Sequence, residues 1–433
     1  MEEQQLSTSA FESTRKAFTA LVFVFCWGWM ATAQQVAVTF EGNKRTKADF
    51  LMKVLAIDTL NYDAEALAKG IQRLKNLPIL VGAEANIQTS EERVVVAITV
   101  EEGLVIWPLI NFGGVVGNRW FLLGLSDFNL GGRAIQSTAF YRNIDGEHNA
   151  FLSVHAPFFR GSSFGGGIEI QRYAAIEPLF FGQDAPRINY VYSNINLAGT
   201  LSYLFDYQHR IAFGVSYLHE DYEAIETPAA AESFDFPARA SKDKYVLRAG
   251  HDLNRVNFHG YERAGWSFVQ QFQLINDFGT NESPFMMYWM EGRYFERLNR
   301  FNLAVQGRLG LSSNAINPFA PFVLDSQLNI RGAGNRVDRG TATAVLNTEL
   351  RMRLFQTRKL ATQGVIFSDL GNWRKPGGSL DELAKTINLQ HFVGGGVRLI
   401  YTKSQLATLR IDCGVNTQDR THRGFVVGVG QFF

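Results

Sequence analysis

The chain has 433 residues, 46% of them hydrophobic, and its 42 lysines and arginines nearly balance 41 aspartates and glutamates. A formal charge of +1 gives no electrostatic case for nucleic acid, which would need a basic face. Aromatic residues make up 13% of the chain, beside 40 glycines, a pairing that favours many strands and tight turns over a helical enzyme.

Arg15 and Lys16 precede the apolar run AFTALVFVFCWGWM, which is followed by Ala31, Thr32 and Ala33. A charged region, an apolar core and an A-x-A site read as a secretory signal peptide over 1–33, cleaved before Gln34. About 14 apolar residues are too few to span a bilayer as a helix. No later window supplies the roughly 18 uninterrupted apolar residues a transmembrane helix needs. Once that segment is removed Cys413 is the only cysteine, so no intramolecular disulfide can form.

Residues 34–103 read as a small α+β domain. QVAVTFEGN is a strand ending in a Gly42-Asn43 turn. TKADFLMKVL is a helix with Thr46 and Asp49 at capping-box spacing. DAEALAKGIQRLK repeats the helical period through Leu67, Ile71 and Leu74. GAEANIQTS and RVVVAITVEEG then form a hairpin, which makes the order strand, helix, helix, strand, strand.

Over 104–433 the helical period gives way to alternation. Leu303, Val305 and Leu309 share one face against Gln306 and Arg308. Leu346, Leu350, Met352 and Leu354 oppose Asn347, Glu349, Arg351 and Arg353, and Leu409, Ile411 and Cys413 oppose Thr408, Arg410 and Asp412. A charged face behind an apolar one suits a barrel with lipid outside and a wet lumen. A soluble sandwich alternates too, with its apolar face turned inward. Export without disulfides and the many aromatics favour the barrel. Sixteen strand candidates begin between 106 and 424, and their connections alternate in length. DYQH, LNR, QTRKL and TKSQ are short, whereas 175–189, 221–242, 313–340 and 373–390 are long. An even strand number with short turns on one side is the outer-membrane pattern, and it leaves both chain ends and the small domain on the periplasmic side.

Several motifs point to chemistry but lack its context. GSSFG at 161–165 matches a nucleophile elbow, yet a strand follows where a helix is required. FGGG and VGGG lack the Lys-Ser/Thr of a phosphate loop. The eight histidines are scattered, so neither a metal nor any other cofactor is implied.

In these residues the chain resembles the BamA/TamA superfamily of outer-membrane assembly and translocation proteins. VTFEGNKRT and VVVAITVEEG look like the start and end of a POTRA domain, the superfamily's periplasmic module. Arg331 and Gly332 match the Arg-Gly motif of its longest loop, with Ala333 in place of the usual aromatic. Asn347, Glu349 and Arg351 match an inner-face N-x-E-x-R, and Phe367, Asp369 and Gly371 match F-x-D-x-G. DFNLGG at 127–132 resembles an early N-L-x-G turn, and the terminal GQFF resembles the C-terminal insertion signal ending in Phe433.

The resemblance implies a non-enzymatic outer-membrane factor with a POTRA-like domain in the periplasm of a Gram-negative bacterium. Its partners would be outer-membrane lipid and unfolded or secreted client proteins, with room for periplasmic accessory proteins and none for nucleic acid. The alternative is a dedicated secretion pore or passive channel for one partner protein. An arginine folded back into a lumen needs a partner, so Arg331 is expected to pair with Glu349, Asp369 or both. The barrel seam is expected to join Leu109–Gly113 to Phe425–Phe433, weakened by Gly428 and Gly430. Arg336 and Arg339 have no role at this level.

Overall fold

The computed structural model describes residues 35–89, 93–115, 118–159, 162–181, 188–226, 236–278, 283–316, 320–326, 329–405 and 407–433. The expected signal peptide lies outside them.

The N-terminal domain runs β1 (Gln35–Glu41), α1 (Ala48–Leu55), α2 (Ala64–Lys75), β2 (Leu80–Thr89) and β3 (Arg93–Glu102). Its sheet has the order β1-β3-β2, with β1 parallel and β2 antiparallel to the central β3. Period-two positions Val94, Val96, Ile98 and Val100 of β3 meet Phe50, Leu51, Val54, Leu55, Leu67 and Leu74 of the helices in one core. Asp63 caps α2 by accepting from the backbone N–H of Glu65 at 2.8 Å. The capping box expected at Thr46 does not form, because Lys47 is the N-cap of α1 and contributes no side-chain bond. Thr46 is taken elsewhere: its N–H donates to Glu102 at 2.6 Å and its hydroxyl accepts from Asn129 at 3.0 Å.

The wall of the second unit runs β4 (Ile106–Val115), β5 (Asn118–Leu130), β6 (Ile135–Ile144), β7 (Glu147–Ala156), β8 (Phe164–Leu179) and β9 (Ile188–Leu204). It continues through β10 (His209–Glu226), β11 (Arg239–Asn254), a short rim strand β12 (Asn257–His259), β13 (Glu262–Phe278), β14 (Phe285–Leu298) and β15 (Phe301–Ser312). A hairpin of β16 (Phe322–Asp325) and β17 (Asn335–Gly340) then leaves the wall. β18 (Ala342–Gln356), β19 (Leu360–Arg374), β20 (Gln390–Tyr401), β21 (Thr408–Asn416) and β22 (Arg423–Val429) complete it. Leaving aside β12, sixteen antiparallel strands close into a barrel among the described residues. No helix among those residues is long and apolar enough to cross a membrane.

Burial settles which face is which. Leu346, Leu354 and Ile366 point outward and are 44%, 53% and 64% exposed, whereas Gln306, Asn347, Glu349, Asp369 and Arg398 point inward and are fully buried. Water would not tolerate such a wall of exposed leucine, isoleucine and phenylalanine, and a bilayer demands it. Each wall strand has a bonded neighbour on both sides, which is what a closed barrel offers in lipid.

The strands at the rim far from the small domain run longer than the sequence suggests. Residues expected in the loops 175–189 and 221–242 extend β8, β9, β10 and β11, so the connections there shrink to 180–187 and 227–238. The small domain sits directly under the opposite rim. Arg45 pairs with Asp127 at 2.5 Å, Arg133 with Asp49 at 2.7 Å and Lys403 with Glu101 at 2.6 Å. Phe50 stacks on Phe158 at 5.2 Å, and the Gln405 amide donates to the carbonyl of Leu80 at 3.0 Å. Three separate rim turns hold the domain across the mouth.

Candidate functional site

The hairpin of β16 and β17 folds into the lumen, and Arg331 lies in its turn. Gly332 has φ +92, and a Cβ there would come within 2.6 Å of the Gly414 carbonyl oxygen. Glycine therefore lets the turn press against the backbone of β21, and Gly414 makes the reciprocal room. Gly371 serves the same end, since a Cβ would lie 3.1 Å from the Ile330 side chain and closer still to Trp373. Leu324, Ile330, Val345, Trp373 and Phe392 form a small apolar core beneath the hairpin.

Arg331 is fully buried and makes a fork-like contact with Asp369, Nε to Oδ2 at 2.8 Å and Nη2 to Oδ1 at 2.8 Å. Its backbone N–H donates to the same carboxylate at 3.0 Å, and its Nη1 donates to Glu349. Its guanidinium carbon lies 3.6 Å from the Phe367 ring centroid and 4.1 Å from that of Phe432. The bidentate geometry, the second carboxylate and the aromatic faces together use arginine's planar fork in a way lysine could not.

Alternation along the strands supplies the partners. Asn347, Glu349 and Arg351 alternate inward along β18, as Phe367, Asp369 and Gly371 do along β19. Arg351 pairs with Glu349 at 2.6 Å, and Arg398 bridges Glu349 at 3.3 Å and Asp412 at 2.7 Å. Asn347 donates to Asp369 at 2.9 Å and to the carbonyl of Asn329 at 2.7 Å. Three carboxylates, Glu349, Asp369 and Asp412, thus meet Arg331, Arg351 and Arg398 in one buried cluster. Burying one such charge without its partners would cost several kcal/mol.

Two features were invisible in the sequence. Arg339, on β17, pairs with Glu177 of β8, a residue on the opposite stretch of wall, and both are buried. The hairpin is therefore fastened on two sides. The side chain of Arg336 lies outside the described residues.

The second feature corrects the expected seam. β22 pairs with β4 only through Phe425–Gly114, Val426–Gly113 and Val427–Phe112, whereas β4 pairs with β5 over ten positions. Residues after Val429 leave the wall altogether. Gly430 has φ +90 and turns the chain, its N–H donating to the Thr408 carbonyl at 2.6 Å. The last residues then enter the lumen. The Phe433 ring packs against Phe295 and Ala304, and its carbonyl accepts from Arg351 at 3.1 Å. Arg410 donates to the Gln431 carbonyl at 3.0 Å. The Phe432–Phe433 end, expected to finish the seam, instead joins the arginine cluster, because buried guanidinium donors offer its carbonyls partners that lipid cannot. Gly428 stays on β22 and faces inward, where a Cβ would come within 2.7 Å of the Asn111 side-chain oxygen.

No protein-family model and no curated protein matches the sequence. Among solved structures, CdiB from Escherichia coli aligns with a TM-score of 0.60 at 12% identity, covering 92% of this chain and 77% of its own. CdiB from Acinetobacter baumannii gives 0.56 at 10% identity, covering 92% and 74%. BamA from Haemophilus ducreyi lacking POTRA domains 1-3 gives 0.49 at 16% identity, covering 92% and 84%. In its three-dimensional structure, this chain has the fold of the CdiB barrels.

Proposed function

We propose that this chain is a non-enzymatic outer-membrane factor of the BamA/TamA superfamily that inserts or translocates polypeptides. The observation that carries this reading is the hairpin held inside the lumen by Arg331 on Glu349 and Asp369. Those three residues sit in the motifs on which the resemblance rests. In this reading the small domain is POTRA-like and periplasmic, and the rim it covers is the entry side.

Three features give the reading a mechanism. The small sheet leaves β1 and β2 as edges, to which an extended client segment can add a strand. The short pairing between β22 and β4 makes the seam the weakest joint of the wall. Parting there exposes two strand edges toward lipid, a template for an incoming hairpin. The plug and the covered mouth describe a resting state, which a client must displace to pass through the lumen.

Depletion followed by outer-membrane proteomics tests the reading. Broad loss of barrels supports insertion, and no change in any outer-membrane or secreted protein refutes both activities. Loss of one secreted protein supports a second reading, a dedicated pore for a single partner.

A further inference from the structure

The outer wall carries a dent that the fold itself does not require. In register across β13, β14, β15, β18 and β19 lie Phe268, Gly292, Gly307, Leu346 and Leu370, all on the lipid-facing side. Gly292 and Gly307 stand side by side in the middle of this row, and a Cβ built on either meets nothing within 4 Å. Neither has a positive φ. Glycine weakens a strand and removes a side chain from the lipid-facing surface, so two adjacent glycines with no steric or conformational reason leave room for something outside the chain. Ala344 continues the dent in the next row, between Leu309 and Asn372.

The dent is roofed at one end and polar there. Leu383 and Leu389, from the connection after β19, close over it and complete a groove of about 430 Å³, a volume in the range of small-molecule sites. Asn372 lies at this end, 5% exposed on the outer face of the wall. Its amide nitrogen donates to the carbonyls of Leu383 and Lys385 at 2.9 and 3.2 Å. Its Oδ1 is buried with no hydrogen-bond partner among the described residues. An acceptor left unmade in an apolar site costs about 1–3 kcal/mol, and Asn372 itself lines the groove.

We propose that this groove binds one acyl chain of an outer-leaflet lipid, with Asn372 Oδ1 accepting a hydrogen bond from a hydroxyl or amide N–H at the head of that chain. The occupant follows from the setting: the groove faces the bilayer, is lined by apolar side chains, and offers one acceptor at the end near the far rim. Hydroxylated or amide-linked acyl chains supply that donor, and plain ester-linked chains do not. The proposal rests on the reading of this wall as lipid-facing; recovery of each variant in the nanodisc fraction reports insertion separately, and heat-modifiable gel mobility reports that its barrel is folded.

The test uses the full mature chain in phosphatidylethanolamine nanodiscs, with lipid A as the probe and native mass spectrometry as the readout. The wild type is expected to retain one lipid A in preference to the bulk phospholipid. Gly292→Leu and Gly307→Leu fill the dent from positions where an added Cβ meets nothing within 4 Å, and should weaken that retention about tenfold or more. Gly199→Leu is the control, because Gly199 is an equally open wall glycine on β9. Asn372→Leu should abolish the preference for lipid A over phospholipid while leaving a bound chain. Equal retention by Gly307→Leu and wild type overturns the site. An unchanged preference in Asn372→Leu overturns the hydrogen bond, and a co-purifying protein segment displaced by Gly307→Leu overturns the lipid occupant.

Discussion

Arg331→Met is the most informative single substitution. It keeps much of the side-chain volume and deletes the charge, leaving Arg351 and Arg398 as ion-pair partners of Glu349 and Asp412. Asp369 suffers most, because Arg331 supplies both of its side-chain ion-pair contacts and one backbone N–H, and Asn347 then remains as its side-chain donor. Removing one partner of a buried pair costs about 3–5 kcal/mol, and the lost stacking on Phe367 and Phe432 adds about 0.5–2 kcal/mol. Urea unfolding of the barrel in bilayers measures the total, and limited proteolysis of the hairpin reports whether the plug has left the lumen. Arg331→Lys should recover little, since an ammonium cannot fork onto Asp369 while reaching Glu349. Combining Arg331→Met with Asp369→Asn removes the orphaned charge, so the double variant should be more stable than the sum of the singles by at least about 1 kcal/mol. Additivity within about 0.5 kcal/mol would refute the pairing as an energetic unit.

The remaining predictions concern the other fastenings. Glu177→Gln weakens the second anchor of the hairpin at Arg339, so proteolysis within 313–341 should accelerate while barrel mobility on gels stays folded; an unchanged cleavage rate sinks this. Phe112→Cys with Val427→Cys places thiols at facing seam positions, in a Cys413→Ser background because Cys413 is exposed. Oxidation should stop client insertion or translocation and reduction should restore it, and full activity of the cross-linked form counts against seam opening. Burial would raise the Glu102 carboxyl, but hydrogen bonds from Thr46, Arg45 and Lys44 outweigh it and hold its pKa below the ordinary range. A lowered carboxylate pKa stabilises the folded arrangement above about pH 4.3 and loses that contribution as pH falls through the folded value. Hydrogen exchange at 43–47 should therefore rise only in that acidic range, and a rise near neutrality would refute the assignment.

The sequence by itself determined the number of wall strands and which residues share a face. A period of two is local and needs only the alternation of Leu346, Asn347, Thr348 and Glu349 to be read. The lengths of the connections placed both chain ends on one side for the same reason, since each turn is a contiguous stretch. Which face meets lipid was not local, because the same alternation serves a sandwich; closure of the barrel decided it by burying Glu349 and exposing Leu346. The motif residues Arg331, Glu349 and Asp369 could be nominated by resemblance, yet their mutual distances depend on a hairpin folding inward. Arg339 and Glu177 lie 162 positions apart, and no spacing rule links them. The inward turn at Gly430 was equally hidden: glycine permits φ +90 but does not require it. Only the assembled lumen, with buried guanidinium groups waiting for carbonyl partners, makes that turn the favourable one and draws Phe432 and Phe433 out of the seam.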